Sequence, residues 1–461
     1  MPIVAAFMVP HPPLIVTEIG RGQEASIKET ADAYDRVARE IAGIEPDTII
    51  ITSPHSVMYT DYFHISPGAS ATGSFAGFGA GRVSFRERYD TELVREICAE
   101  AEMEGFPAGT LGERDASLDH GTMVPLWFIR KHYDGGKIVR IGLSGLPLPD
   151  HYRLGQIIKD AVDRLGRRAV FIASGDLSHK LKEDGPYGFV PEGPEYDSRI
   201  MDVCGNASFG ELFDFSEDFL EKAAECGHRS FVIMAGAFDG IAIDATRLSH
   251  QDVTGVGYGI CTFYPSGASD DRYFLRDYLN ELEKNIGEQK EKSDEYVRLA
   301  RNSVEYYIRH GKVLDIPPGL PAEMLENRAG AFVSIHKFGR LRGCIGTIEP
   351  VRSSIAKEII ENAVSASTRD PRFDPITEDE LPWLEISVDI LGRPEQISSA
   401  ADLDVKRYGV IVTSGHRRGL LLPDLDGVDT PEDQISIARR KAGIGANEKI
   451  SLERFEVIRH F

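Results

Sequence analysis

AVFIASGDLSH, residues 169–179, is the stretch whose reading decides the fold. Its first residues are small or apolar without interruption. Such a run suits a strand buried on both faces, as in a parallel sheet, because neither face has to present polar groups to water. The strand ends in Ser174-Gly175-Asp176, with His179 three residues on. In open α/β sheets ligands bind beyond the carboxyl ends of the strands, so an acid and an imidazole placed there mark a candidate site.

The pattern occurs twice more upstream. IVAAFMV at 3–9 runs into Pro10-His11-Pro12-Pro13, and TIIIT at 48–52 runs into Ser53-Pro54-His55-Ser56. A single histidine beyond a strand is most often a satisfied core or surface residue. Three beyond three apolar strands of one parallel sheet would lie along one edge and converge.

The chain has 461 residues, too many for one ordinary core, so two or three domains are expected. Apolar residues make up 42% and charged residues 27%, the balance of a soluble globular protein. No run is long enough to span a bilayer and no basic segment precedes the first strand, which leads us to expect a cytoplasmic protein. The five cysteines are scattered with no CxxC pair, which fits a reducing compartment and argues against a disulfide framework or a zinc knuckle. A net charge of −21 argues against a large nucleic-acid footprint.

Between the first two strands, apolar positions at helical spacing (Ile27, Ala31, Tyr34, Val37, Ile41) predict a helix and a right-handed βαβ unit. Residues 66–81, rich in Gly, Ala and Ser, read as a loop over the site or a plain surface connection. Asp119-His120-Gly121 precedes an apolar helix and aims an imidazole into the same region. KIVRIGL at 137–143 is another strand, and His151 behind it reads as a capping or surface residue. Residues 196–224 read as one acidic helix, 230–238 as a buried helix, and 257–264 as the last strand of the first domain.

In order, PHPP, SPH, DHG, GDLSH and an acid or cysteine before a buried helix resemble class III extradiol ring-cleaving dioxygenases. The set is similar to the catalytic subunit of protocatechuate 4,5-dioxygenase and to Memo proteins, over about residues 1–265. The resemblance implies an α/β domain with a mostly parallel central sheet. It also implies His11 and His55 as metal ligands, and Glu225 (or Cys226) as the third. His179 would be the acid/base, His120 would line the pocket, and Asp176 would orient His179 or the substrate. Two histidines and a carboxylate suit Fe(II) with open positions for a diol and dioxygen, whereas Cys226 would favour zinc or copper. The extradiol resemblance favours Glu225 and the Memo resemblance Cys226; the expectation leans to Glu225, with Cys226 packed behind it.

Residues 269–292 are charged and helical in pattern, a linker between a domain at 1–268 and one at 293–461. The second domain reads as α+β: a helix over 296–310, a hairpin over 331–349 turning at 337–340, a strand at 384–391 and a hairpin over 409–422. Leu341-Arg342-Gly343-Cys344-Ile345-Gly346, followed by Asp370-Pro371-Arg372-Phe373, resembles the AMMECR family, which also implies no settled chemistry. Cys344 reads as a nucleophile lacking an evident partner or as a small packed thiol, the second being preferred. Arg342, Asp370 and Arg372 read equally as a polar groove or a salt-bridge network. The two resemblances together are similar to the fused form of the AmmeMemoRadiSam system protein A family, which implies a radical SAM enzyme and a Memo-like protein as partners.

The leading expectation is thus a non-haem Fe(II) dioxygenase acting on a catechol-like or aminophenol-like small molecule, with the second domain recognising substrate or a partner. Its rivals are a non-catalytic Memo-like metal-binding scaffold, a metal-dependent hydrolase or oxidase, and RNA recognition by the second domain. No membrane partner is expected, and a homo-oligomer is left open.

Overall fold

The computed structural model describes residues 3–425 and 427–461. The chain divides into two compact units, Met1–Leu279 and Asn280–Phe461. No helix among the described residues is long and apolar enough to cross a membrane.

The first unit is built on strands β1 (Ile3–Val9), β2 (Thr48–Ser53), β3 (Lys137–Gly142), β4 (Ala169–Ser174), β5 (Ile241–Gln251) and β6 (Tyr258–Ala268). They lie in the order β3-β2-β4-β1-β6-β5. β3, β2, β4 and β1 are mutually parallel, and β6 and β5 add an antiparallel edge. The apolar runs separate into two cores by alternation. Ala6, Met8, Ile50, Phe171 and Ala173 face one layer of helices, while Phe7, Val9, Ile51, Val170 and Ile172 face the other. Each side chain fully buried in this way contributes about 1.5–3 kcal/mol if it is the size of Val or larger, which fixes strand order and register together.

Helices α1 (Lys28–Ile44) and α3 (His120–Ile129) cover one face; α2 (Thr91–Met103), α4 (Leu148–Leu165), α5 (Glu192–Asn206) and α6 (His228–Gly236) cover the other. In α1 the buried positions Thr30, Ala33, Tyr34, Val37, Ala38 and Ile41 keep the i, i+3, i+4 spacing of one stripe. Parallel pairing brings the strand ends level: Val9 lies opposite Ser174, and Thr52 opposite Ala173. Whatever follows β1, β2 and β4 therefore leaves the sheet at one height.

Several expectations need correction. Residues 66–81 are not a loop: Ser70–Phe75 and Ala80–Arg88 pair as an antiparallel hairpin. The predicted helix over 196–224 breaks after Asn206, where Ala207 takes φ 51°, and resumes at Glu217–Ala223. His151 is neither a cap nor a surface group. It is buried, with Nδ1 3.0 Å from the Pro147 carbonyl oxygen and its ring edge-on to Phe63. The segment read as a helical linker does contain one long helix, α7 (Phe274–Lys292), but the division between the two units falls within that helix and not at the ends of the segment.

The second unit contains α8 (Glu295–His310), β7 (Ala331–Lys337), β8 (Arg340–Gly346), α9 (Ile355–Thr368), β9 (Leu384–Leu391), β10 (Tyr408–Ser414), β11 (Arg417–Leu421), α10 (Pro431–Lys441) and β12 (Ser451–His460). The strands lie in the order β8-β7-β9-β12-β10-β11, with every pair antiparallel. α8 and α9 pack on β7 and β9 through Val297, Val304, Ile359, Ala363, Val333 and Val388.

Candidate metal centre

Beyond the level ends of β1, β2 and β4, His11, His55 and Cys226 come together with their donor atoms within 4.8 Å of one another. His11 Nε2 is 2.9 Å from His55 Nε2, and Cys226 Sγ is 3.7 Å from His11 Nε2. His11 is buried, Cys226 partly so, and His55 is exposed, so the cluster is open to solvent on the His55 side.

The orientation of His11 follows from a short relay. The Ser174 hydroxyl donates to the Gly121 carbonyl oxygen at 2.6 Å, which leaves Ser174 Oγ to accept from His11 Nδ1 at 3.0 Å. That fixes the proton on Nδ1 and turns the Nε2 lone pair into the cluster. The His11 backbone N–H donates to Asp176 Oδ1 at 2.7 Å, tying the two strand ends together. On the β2 side, Ser53 Oγ donates to Asp119 Oδ1 at 2.5 Å and accepts from the His55 N–H at 3.2 Å. Asp119 also caps α3 by accepting the Thr122 N–H at 3.0 Å.

Cys226 arrives from the loop before α6. An added Cβ at Gly175 would stand 2.0 Å from the Gly227 Cα, so the turn after β4 and the loop before α6 cross in direct backbone contact. The crossing lets the Asp176 N–H donate to Cys226 Sγ at 3.3 Å. Glu225 faces elsewhere. Its Oε2 accepts the His228 N–H at 2.6 Å, at the N-terminus of α6. Of the adjacent pair that the sequence leaves open, the structure therefore brings the thiol, not the favoured carboxylate, to the imidazoles.

His120 stacks on His55 with ring centroids 3.9 Å apart and lies edge-on to His11 at 5.4 Å; Phe78, in the hairpin turn, covers it at 5.5 Å. His179 stacks on the exposed ring of Tyr187 at 5.2 Å, and its Nε2 is buried without a hydrogen-bond partner. Sequence reasoning alone does not single out Ser174, Ser53, Asp119 or Phe78 as site residues, although Ser174 and Asp119 lie inside the quoted motifs.

The electrostatics of this cluster suit a cation. Burial, then the neighbouring imidazoles, lowers His11 and His120 to about 3, so both rings are neutral donors at physiological pH. Burial also lowers His55, against the opposing pull of Asp119 and Asp176, and His179, against that of Asp176. Burial raises Asp176 to about 6 and pushes the Cys226 thiol well above its ordinary value. Crowded lone pairs beside a thiol and a buried acid lack positive charge. A bound cation supplies it and drives the thiol to thiolate. The residues present thus fit a single metal ion.

In the second unit, Asp370 accepts from Arg372 through both oxygens (2.9 and 2.7 Å) and from the Cys344 N–H (2.9 Å), and Arg372 holds its carboxyl well below the usual range. The Ser334 hydroxyl donates to Cys344 Sγ at 3.3 Å. Arg342 forks onto Glu380 at 3.0 and 2.9 Å, with Lys337 at 3.0 Å. These contacts are a charge network across β7, β8 and the segment after α9. Burial raises the Glu380 carboxyl, but Arg342 and Lys337 outweigh it and hold the group at about 2, against an ordinary 4.5. Because the folded value is depressed, its stabilisation is present above the ordinary value and lost as pH falls toward the folded one, on the order of 3 kcal/mol. Melting of the second unit between about pH 5 and about pH 2.5 is expected to fall steeply in the native chain and less in Glu380→Gln. Equal slopes would refute the assignment.

Comparison with known proteins agrees with this layout. A family model described as the catalytic LigB subunit of aromatic ring-opening dioxygenase matches residues 5–261, and the AMMECR1 model matches residues 297–460. A protein of Clostridium acetobutylicum is 41% identical over 98% of this chain and 98% of its own. A Thermotoga maritima protein is 49% identical over 36% of this chain and 96% of its own. An uncharacterised protein of Pyrococcus horikoshii, known from a crystal structure, is 30% identical over 37% of this chain and 91% of its own, with a TM-score of 0.35.

Proposed function

Since the chain belongs to the family of the catalytic LigB subunit of aromatic ring-opening dioxygenase, with an AMMECR1 domain following, we propose that its first unit is a mononuclear metalloenzyme. In this reading His11, His55 and Cys226 hold one transition-metal ion. His120 and His179 handle the protons of a small catechol-like or aminophenol-like substrate. The observation that carries the reading is the convergence of three donor atoms beyond three level strand ends. Two imidazoles and a thiolate form a softer set than two imidazoles and a carboxylate, which favours copper or zinc over the Fe(II) expected with Glu225.

Such an ion, when bound, polarises a coordinated oxygen or nitrogen and, if redox-active, exchanges electrons with it. The chain's own residues do the rest. The relay from Gly121 through Ser174 holds His11 as the Nδ1–H tautomer. His179 Nε2, buried and unpartnered, is the atom that accepts a proton from a substrate hydroxyl, and Asp176 favours the imidazolium that results. Phe78 and His120, set edge to face, supply aromatic surfaces against which a substrate ring packs. The thiolate also favours a second reading, a Memo-like scaffold that holds the ion and serves a partner such as a radical SAM enzyme.

His179→Gln separates the two. It is expected to retain stoichiometric metal while oxygen uptake with catechols and aminophenols falls about 100-fold or more. Absence of uptake by the reconstituted native chain with iron, copper or zinc would leave the scaffold. Loss of metal in His179→Gln would make His179 a ligand and sink its role as proton acceptor.

A further inference from the structure

The second unit encloses a cavity of about 320 Å³ between the end of α7, α8, β7 and β9. That volume is at the lower end for small-molecule sites. Its apolar wall includes Val297, Ile386 and Phe461, and its polar groups include Arg301, His336 and Glu385.

Arg301 sets the chemistry. It is 8% exposed, and Nη1 donates to the Leu384 carbonyl oxygen at 3.0 Å, but Nε is buried with no acceptor. Among the described residues no carboxylate forms an ion pair with it. Glu305, one turn along α8, is engaged by Arg309 at 3.1 Å and Lys290 at 3.9 Å. A guanidinium taken out of water with acidic groups nearby but none in contact is poorly compensated, and an anionic ligand that touches it offsets that cost. Glu385 lines the same cavity within electrostatic reach of Arg301 and His336 but in ion-pair contact with no described residue, so the cavity holds a positive and a negative group that do not touch. A polyanion such as phosphate would meet Glu385 with repulsion. A molecule carrying both charges meets Arg301 with its carboxylate and Glu385 with its ammonium, leaving an apolar body for Val297, Ile386 and Phe461.

We infer that this cavity is a binding site for a free α-amino acid with an apolar side chain. The site is independent of the metal centre and uses none of its residues.

Isothermal titration of the full chain with L-phenylalanine tests it. Saturable 1:1 binding with a Kd below about 1 mM is expected. 3-Phenylpropionate, which lacks the ammonium, and 2-phenylethylamine, which lacks the carboxylate, should each bind about tenfold weaker or worse. Arg301→Gln should lose L-phenylalanine. Glu385→Gln should weaken L-phenylalanine about tenfold and leave 3-phenylpropionate no weaker, since the acid that repels its carboxylate is gone. If Arg301→Gln fails to fold, Glu385→Gln decides. No saturable binding of L-phenylalanine, unchanged affinity in either variant, or tight inorganic phosphate binding would overturn the inference.

Discussion

Cys226→Ala is expected to lower metal affinity by more than about 100-fold, the larger loss seen when even an outer partner of a ligand is removed. The substitution deletes one of the three converging donor atoms and leaves the two imidazoles, only 2.9 Å apart at Nε2, without the anionic ligand that balances a cation. Glu225→Ala provides the contrast. Its carboxylate caps α6 through the His228 N–H, so the variant should keep full metal and lose about 1 kcal/mol of stability. X-ray absorption of the reconstituted protein reads the same difference directly. A sulfur neighbour should be present in the native chain and in Glu225→Ala, and absent in Cys226→Ala. If instead Glu225→Ala loses the ion and no sulfur neighbour is seen, the carboxylate set is restored and iron with it.

Gly175→Ala is the second large effect. The new Cβ would stand 2.0 Å from the Gly227 Cα and 3.0 Å from its nitrogen, and no side-chain rotation relieves a clash of backbone with Cβ. The two loops must part, which carries Cys226 away from His11. Overpacking of this kind costs about 1–3 kcal/mol, and the lost loop contacts add to it. Chemical denaturation should show that loss, and metal analysis of the folded fraction should show a depleted site. Gly43→Ala is the control: it lies in α1 and an added Cβ meets nothing within 4 Å, so stability should hold or rise by up to about 1 kcal/mol. Normal metal content in Gly175→Ala would show that the crossing does not position the thiol.

The sheet core is legible in the sequence because β1, β2 and β4 are buried on both faces, which leaves an unbroken apolar signature. The histidines are legible because His11 and His55 sit two residues beyond their strands. β5 leaves no such signature: as an edge strand, its residues Asp244, Thr246 and Arg247 face solvent or partners, and its alternation is blurred. The hairpin over the site reads as a loop for a related reason, since Gly and Ser weaken strand propensity without forbidding it. The choice between Glu225 and Cys226 is not legible at all. Neighbouring residues in a loop are distinguished by where the backbone is pinned, and the pin is the contact of Gly175 with Gly227, distant in sequence like the Asp176–Cys226 hydrogen bond that spans 50 positions. In the second unit β12 is central in the sheet, yet of its residues only Phe455 is buried, so its charged sequence SLERFEVIRH conceals its place.

His11 and Cys226 are 215 positions apart, which has a bearing on synthesis at the ribosome. At about 5–20 residues per second, the thiol is made roughly ten to forty seconds after the first imidazole. Until then the nascent chain presents only isolated histidines, which bind available ions weakly and without selection. The strand ends become level only once β4 has paired with β1 and β2, and the thiol reaches them only once the loop before α6 has crossed the turn after β4. Selection of a metal by His11, His55 and Cys226 would therefore fall to a pocket completed only after Cys226 has been made, and would depend on the ions available at that moment.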